Sequence, residues 1–139
     1  MPLNHPITID GIDLTNLFDP AIDAVPFAVP ETDRIPSPGS IVYTVWHDQL
    51  GFIYVGIGGV GQNAQTPLAR RNPRKRIKQH SSGRRSGDQM CVYIHDFFVI
   101  PELVKSGIYS PEKGVLDRLT KEYIHKHLSY RFLVFQTDD

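Results

Sequence analysis

Two runs of β-branched and aromatic residues stand close together, 41–46 (Ile-Val-Tyr-Thr-Val-Trp) and 52–57 (Phe-Ile-Tyr-Val-Gly-Ile), and each predicts a strand. The residues between them, His47-Asp48-Gln49-Leu50-Gly51, are few enough for a hairpin. If Tyr43 pairs with Tyr54, one face carries Ile41, Tyr43, Val45, Phe52, Tyr54 and Gly56. The other face then carries Val42, Thr44, Trp46, Ile53, Val55 and Ile57. A slip of one residue sends the two phenols to opposite faces. Both faces are apolar, so the pattern leaves the register open. Farther on, Asn72-Pro73 is a helix-start signal and Ser81-Ser82-Gly83 a stop, predicting a helix over about 73–81. Residues 91–99 (Cys-Val-Tyr-Ile-His-Asp-Phe-Phe-Val) predict a third strand, which Cys91 heads as a buried residue. Ser110-Pro111-Glu112 opens a helix over about 111–128, with Val115, Leu116, Leu119, Tyr123 and Ile124 as its apolar stripe. Residues 130–136 predict a final strand. The order predicts an α+β domain: a small, mostly antiparallel sheet with three central strands, flanked by helices.

The first part of the chain reads differently. Residues 1–38 hold seven of the eleven prolines and only short apolar pieces, predicting an irregular N-terminal arm with one helical turn near 12–18. The compact domain then occupies 39–139. A chain of 139 residues is long enough for one real core. No apolar run approaches the roughly 20 residues of a membrane span. Met1-Pro2-Leu3-Asn4-His5 lacks the basic-then-apolar order of a secretory signal. Cys91 is the only cysteine, which excludes an internal disulfide and fits a cytoplasmic setting.

Net charge is zero, but the charges are segregated. Residues 1–36 carry six acids and one base, whereas 70–85 carry eight bases (Arg70, Arg71, Arg74, Lys75, Arg76, Lys78, Arg84, Arg85) and no acid. From Gln49 to Gln89 the one acid is Asp88. A basic cluster with no interleaved acid is an anion-binding footprint.

Within that frame, some residues carry chemistry. Arg76 offers a fork-shaped guanidinium suited to phosphate oxygens, and His80, four residues on, shares its helix face. A lone carboxylate can anchor Mg²⁺ together with substrate phosphate. A tyrosine serves as base if a basic surrounding pulls its pKa below about 10. His125 and His127, two apart on a helix, point different ways and are no ligand pair. His95 and Asp96 are expected in core or edge roles.

Tyr43, Tyr54-Val55-Gly56, Arg76-Ile77-Lys78-Gln79-His80 and a Glu on a later helix, in this order, resemble the GIY-YIG nuclease superfamily over about residues 40–128. The resemblance implies a three-stranded antiparallel sheet flanked by helices, one divalent metal (Mg²⁺ or Mn²⁺) and endonucleolytic cleavage of DNA. It also implies that both tyrosines share one face, and so selects the Tyr43–Tyr54 register. Tyr43 would be general base or water-orienting phenol, with Tyr54 supporting its pocket and Gly56 letting backbone approach. Arg76 would stabilise the pentavalent phosphate, His80 would bond Tyr43 or the phosphate, and Glu122 would hold the metal. Arg70 or Arg71 are alternatives to Arg76, and Glu112 is an alternative to Glu122. Arg70, Arg71, Arg74, Lys75, Lys78, Arg84 and Arg85 would contact DNA. A restriction-type enzyme must cut both strands, which makes a homodimer plausible. The competing expectation is a non-catalytic nucleic-acid-binding module built on the basic 70–85 segment.

Overall fold

The structure, a computed structural model, describes residues 8–9, 11–19, 23–59, 72–107 and 112–137. Strands β1 (Thr8–Ile9) and β2 (Ile12–Asp13) pair with each other, the helical turn α1 (Thr15–Phe18) follows, and β3 (Val25–Pro26) comes next. The hairpin is β4 (Gly39–His47) and β5 (Gly51–Gly58). Helix α2 (Pro73–Ser82) precedes α3 (Gln89–Ile94), a π-helical segment (His95–Val99) and α4 (Ile100–Ser106). The chain closes with α5 (Lys113–His127) and β6 (Leu128–Thr137). The result is an α+β fold with a four-stranded antiparallel sheet in the order β3-β6-β4-β5.

The sheet's inner face follows from its register. Tyr43 lies opposite Gly56 and Phe132, and Val45 opposite Tyr54 and Tyr130, so these side chains share one face. They pack against Ile77 of α2, Met90, Cys91 and Ile94 of α3, and Ile124 of α5 in one cluster of buried residues. Past Val45 the hairpin register shifts: Trp46 faces Phe52, and Ile53 is the extra residue. A bulge of one residue exchanges the faces beyond it. Phe52 therefore leaves the tyrosine face, where simple alternation put it. Its ring lies 5.9 Å from Trp46 and stacks on Phe18 at 5.3 Å, while Ile53 packs against the core.

Residues 91–99 are helical, not a strand. Asp88 is the N-cap, and its carboxylate accepts the Cys91 amide at 3.0 Å. Met90 and Ile94 face the core, as do Cys91, His95 and Val99, each set at intervals of four. A strand would bury alternate residues instead. The β-forming composition of Val92, Tyr93, Phe97 and Phe98 is overridden by this packing. The third long strand of the sheet is β6, which pairs along β4.

Described parts of the segment before residue 39 are bound into the domain. Leu17, Phe27 and Ile35 are buried, and β3 adds a strand beside β6. Thr44 Oγ1 donates to the Leu17 carbonyl at 2.6 Å, fixing α1 on the outer face of the sheet. Arg74 Nε donates to the Ile35 carbonyl at 2.6 Å, Ser81 Oγ to the Phe27 carbonyl at 2.7 Å, and Tyr130 to the Pro30 carbonyl.

Gly83 ends α2 as expected, with φ +73°. A Cβ there would lie 2.5 Å from the Lys121 backbone, so the glycine is what lets α2 meet α5.

Burial raises the pKa of Tyr43, Tyr54, Tyr123 and Tyr130, the last to about 12. A group whose native pKa exceeds its unfolded value of about 10 stabilises fully below that pH and loses the contribution above it. Near-ultraviolet titration is expected to show these four phenols resisting ionisation at pH about 10, then ionising as the protein unfolds. Ordinary titration of every tyrosine below that pH would contradict the packing.

Candidate active site

The hairpin brings Tyr43 and Tyr54 to one sheet face with ring centroids 6.5 Å apart. The observed pairing, Tyr43 with Gly56, is two residues away from direct Tyr43–Tyr54 pairing. A shift of two preserves the shared face. Gly56 has a specific task here: a Cβ at that position would lie 2.4 Å from the Tyr43 hydroxyl oxygen.

Pro73 starts α2 and directs two of its turns at the hairpin. His80 is buried, with its Nε2 2.5 Å from the Tyr43 hydroxyl. Its Nδ1 lies 2.9 and 2.8 Å from the two oxygens of Asp88. Tyr54 packs edge-on against the His80 ring at 6.0 Å. Arg76 is half-buried one turn before His80. Tyr43, Tyr54, Gly56, Arg76, Arg85 and Asp88 are among the residues lining a cavity of about 670 Å³. Tyr43, Tyr54, Arg76 and His80 thus lie together at one cleft.

The electrostatics differ from expectation at Tyr43. Its phenol is not pulled down by the basic cluster. Burial, reinforced by Tyr54, pushes it far above the ordinary tyrosine value, and the opposing pull of Arg76 does not compensate. Burial would also raise Asp88, but the bonds from His80 and the Cys91 amide outweigh it and hold the carboxyl below its ordinary value. Asp88 is therefore an anion at neutral pH and accepts only. Burial, with Asp88 nearby, raises the Cys91 thiol, which donates to the His80 carbonyl at 3.5 Å and is no nucleophile.

Glu122 is not in this cleft. It lines a separate groove between α4 and α5, with Glu102, Leu103, Tyr123 and Lys126. Helix α5 turns Thr120 and Ile124 inward and Asp117 toward Arg85, which leaves Glu122 on another side. Glu112, the alternative, is the N-cap residue of α5. The carboxylate in the cleft is Asp88, which motif order did not single out.

Among the described residues, two groups of side chains have metal-ligand composition. His80, Asp88 and Cys91 form one, but it is fully buried and its atoms are engaged with one another and with Tyr43. His47, Asp48 and His127 form the other, at the turn of the hairpin. There the two imidazoles are parallel to within 4°, so their in-plane lone pairs do not converge on one ion. His47 Nδ1 instead accepts the Gln49 and Leu50 amides at 3.1 and 3.3 Å, and Nε2 donates to Tyr123 at 2.8 Å. This group closes the hairpin. His125 turns to the Ser81 carbonyl while His127 turns to Asp48, so these two diverge as expected.

The basic residues divide by their partners. Lys75, Lys78 and Arg84 line a second groove of about 480 Å³, which shares Asp88 with the cleft. Arg74 donates through Nε to the Ile35 carbonyl, which ties α2 to the segment before β4. Arg85 pairs with Asp117 at 2.7 Å, and its guanidinium lies 3.4 Å from His95 Nε2, although it still borders the cleft. His95 Nδ1 meets Asp96 at 2.8 Å. Arg70 and Arg71 lie outside the described residues. No helix among the described residues is long and apolar enough to cross a membrane. Comparison of the chain with protein-family models, curated proteins and solved structures returned no match.

Proposed function

We propose that this cleft hydrolyses phosphodiester bonds in DNA, as the site of a GIY-YIG-type endonuclease. The observation that carries this reading is the hydrogen-bonded chain Asp88–His80–Tyr43, which meets Arg76 at one cavity. Ionised Asp88 accepts a hydrogen bond from His80 Nδ1–H, which leaves Nε2 to accept from the Tyr43 hydroxyl. The phenol oxygen then has a lone pair for a water. As that water attacks phosphorus, its proton moves to Tyr43 while Tyr43 passes its own to His80. No free tyrosinate accumulates, which agrees with a phenol that burial keeps protonated. Asp88 stabilises the imidazolium that results. The bond from phosphorus to the leaving oxygen breaks on the side opposite the attacking water; that oxygen takes its proton from solvent water, and His80 later returns its own through Tyr43 to solvent. Arg76 offsets the charge added to the phosphate oxygens.

The resemblance also implies a divalent ion. Mg²⁺ takes oxygen ligands, commonly one or two carboxylates with substrate phosphate. Asp88 is 4% exposed and both its oxygens are engaged, while Glu122 lies in another groove. The described carboxylates do not fit an ion held by the protein in this cleft, and the proton path runs through Tyr43 and His80 alone.

A module that only binds nucleic acid has no use for the buried Asp88–His80–Tyr43 chain. Relaxation of supercoiled plasmid in Mg²⁺ separates the two readings, since binding alone leaves the plasmid intact. Glu122→Ala is expected to nick within about two-fold of wild type, well inside the roughly 10²-fold a catalytic group contributes. A loss of that larger size would return the metal role to Glu122.

A further inference from the structure

The aromatic lining of the cleft continues past Tyr54. The Tyr54 and Tyr93 rings lie 6.3 Å apart at 62°, and those of Tyr93 and Phe97 lie 6.2 Å apart at 42°. Tyr93 is 43% and Phe97 68% exposed, so the three rings step from the cleft onto the outer side of α3 and the π segment. The inward side of this helix is complete without them. Met90, Cys91, Ile94 and Val99 fill it, and Phe98 stacks on Tyr123 at 5.3 Å. Phe97 gains nothing for the core at its position. It sits in a π-helical turn, a feature that recurs at functional sites.

The ring spacing indicates what these rings receive. Stacked bases in a duplex rise about 3.4 Å per step. Rings 6.2–6.3 Å apart and tilted by 42–62° form no parallel stack, so a base on each would lie unstacked from its neighbour. Exposed aromatic rings beside cations are how proteins hold single strands, the rings taking bases and the cations the backbone. Cations stand at the inner end of this track: Arg76 in the cleft, then Lys75, Lys78 and Arg84 in the adjoining groove. The acid beside Phe97, Asp96, is turned onto His95 Nδ1 at 2.8 Å.

We propose that Tyr54, Tyr93 and Phe97 form a stacking track for unpaired bases of a DNA strand whose scissile phosphate lies at Arg76. The substrate is then DNA with single-stranded nucleotides beside the cut, not continuous duplex. This rests on the phosphodiesterase reading of the same cleft. The test is fluorescence anisotropy at fixed salt, in a Tyr43→Phe background that prevents turnover, with oligo-dT and a blunt two-strand duplex as probes. Oligo-dT is expected to bind on the order of ten-fold tighter than the duplex. Tyr93→Ser combined with Phe97→Ser is expected to lose that preference, again on the order of ten-fold, and to leave duplex binding unchanged. Both residues are exposed, and an unchanged melting temperature will show that the double variant folds. Equal binding of both probes, or an equal loss on both, overturns the track. So does a self-association that Phe97→Ser abolishes without changing oligo-dT affinity. Wild type cutting duplex and oligo-dT alike would refute the track and keep the phosphodiesterase. Wild type that holds DNA carrying an unpaired segment through the rings but never cuts it would keep the track and refute the phosphodiesterase.

Discussion

Asp88→Asn is expected to slow single-turnover DNA cleavage by about 10³-fold or more, while DNA affinity stays within a few-fold. The carboxylate accepts from His80 Nδ1 through both oxygens and so sets the tautomer that leaves Nε2 ready for the Tyr43 proton. An amide can present its NH₂ group to Nδ1 and stabilise the other tautomer, in which Nε2 carries the hydrogen. Tyr43 then has no acceptor. The substitution is mild elsewhere, because asparagine is as good an N-cap as aspartate and can keep the Cys91 amide bonded. Some stability is lost with the charged hydrogen bonds, on the order of 1.5–3 kcal/mol. That contribution has a pH signature. The Asp88 carboxyl titrates below its ordinary value in the folded protein, so it stabilises above about pH 3.9 and the effect fades as pH falls through the native pKa. The stability gap between wild type and Asp88→Asn is therefore expected to close in acid. Undiminished cleavage by the variant would remove His80 from the proton path.

Gly56→Ala is expected to cost about 10²-fold in cleavage without removing any group that reacts. A methyl group there would stand 2.4 Å from the Tyr43 hydroxyl oxygen and 2.5 Å from Cζ, well inside contact distance. The tyrosine ring has to move, and the 2.5 Å bond to His80 stretches or breaks. Tyr43→Phe removes the same bond by deleting the oxygen. Substitutions that act through one contact do not add, so the double variant Gly56→Ala/Tyr43→Phe is expected to cleave no more slowly than Tyr43→Phe. Additive losses would show that Gly56 serves the site some other way.

These expectations show which parts of the site were legible in sequence. The hairpin and α2 were, because β-branched runs and the Asn72-Pro73 and Ser81-Ser82-Gly83 signals act locally. The meeting of Tyr43 with His80 follows from those two elements. Residues 91–99 misled because their β-forming side chains sit in a helix whose inward positions recur at intervals of four, a pattern that packing chooses over propensity. Losing that helix also hid Asp88: as the residue before a strand it had no role, but as an N-cap it is turned inward to His80. Its place as the one acid in a long basic stretch was the available signal. The Ile53 bulge that moves Phe52 to the outer face left no mark in an alternating apolar run. Glu122 was chosen from its place at the border of an apolar stripe. The rotation of α5 about its axis, set by Gly83 against Lys121 and by Arg85 with Asp117, turns it to another groove.

The most direct measurement is single-turnover cleavage of end-labelled DNA carrying an unpaired segment, by wild type and Tyr43→Phe in parallel. The account predicts cutting by wild type and a loss of at least about 10²-fold in Tyr43→Phe, with binding retained. Equal rates for the two proteins, or no cutting by wild type, would contradict it.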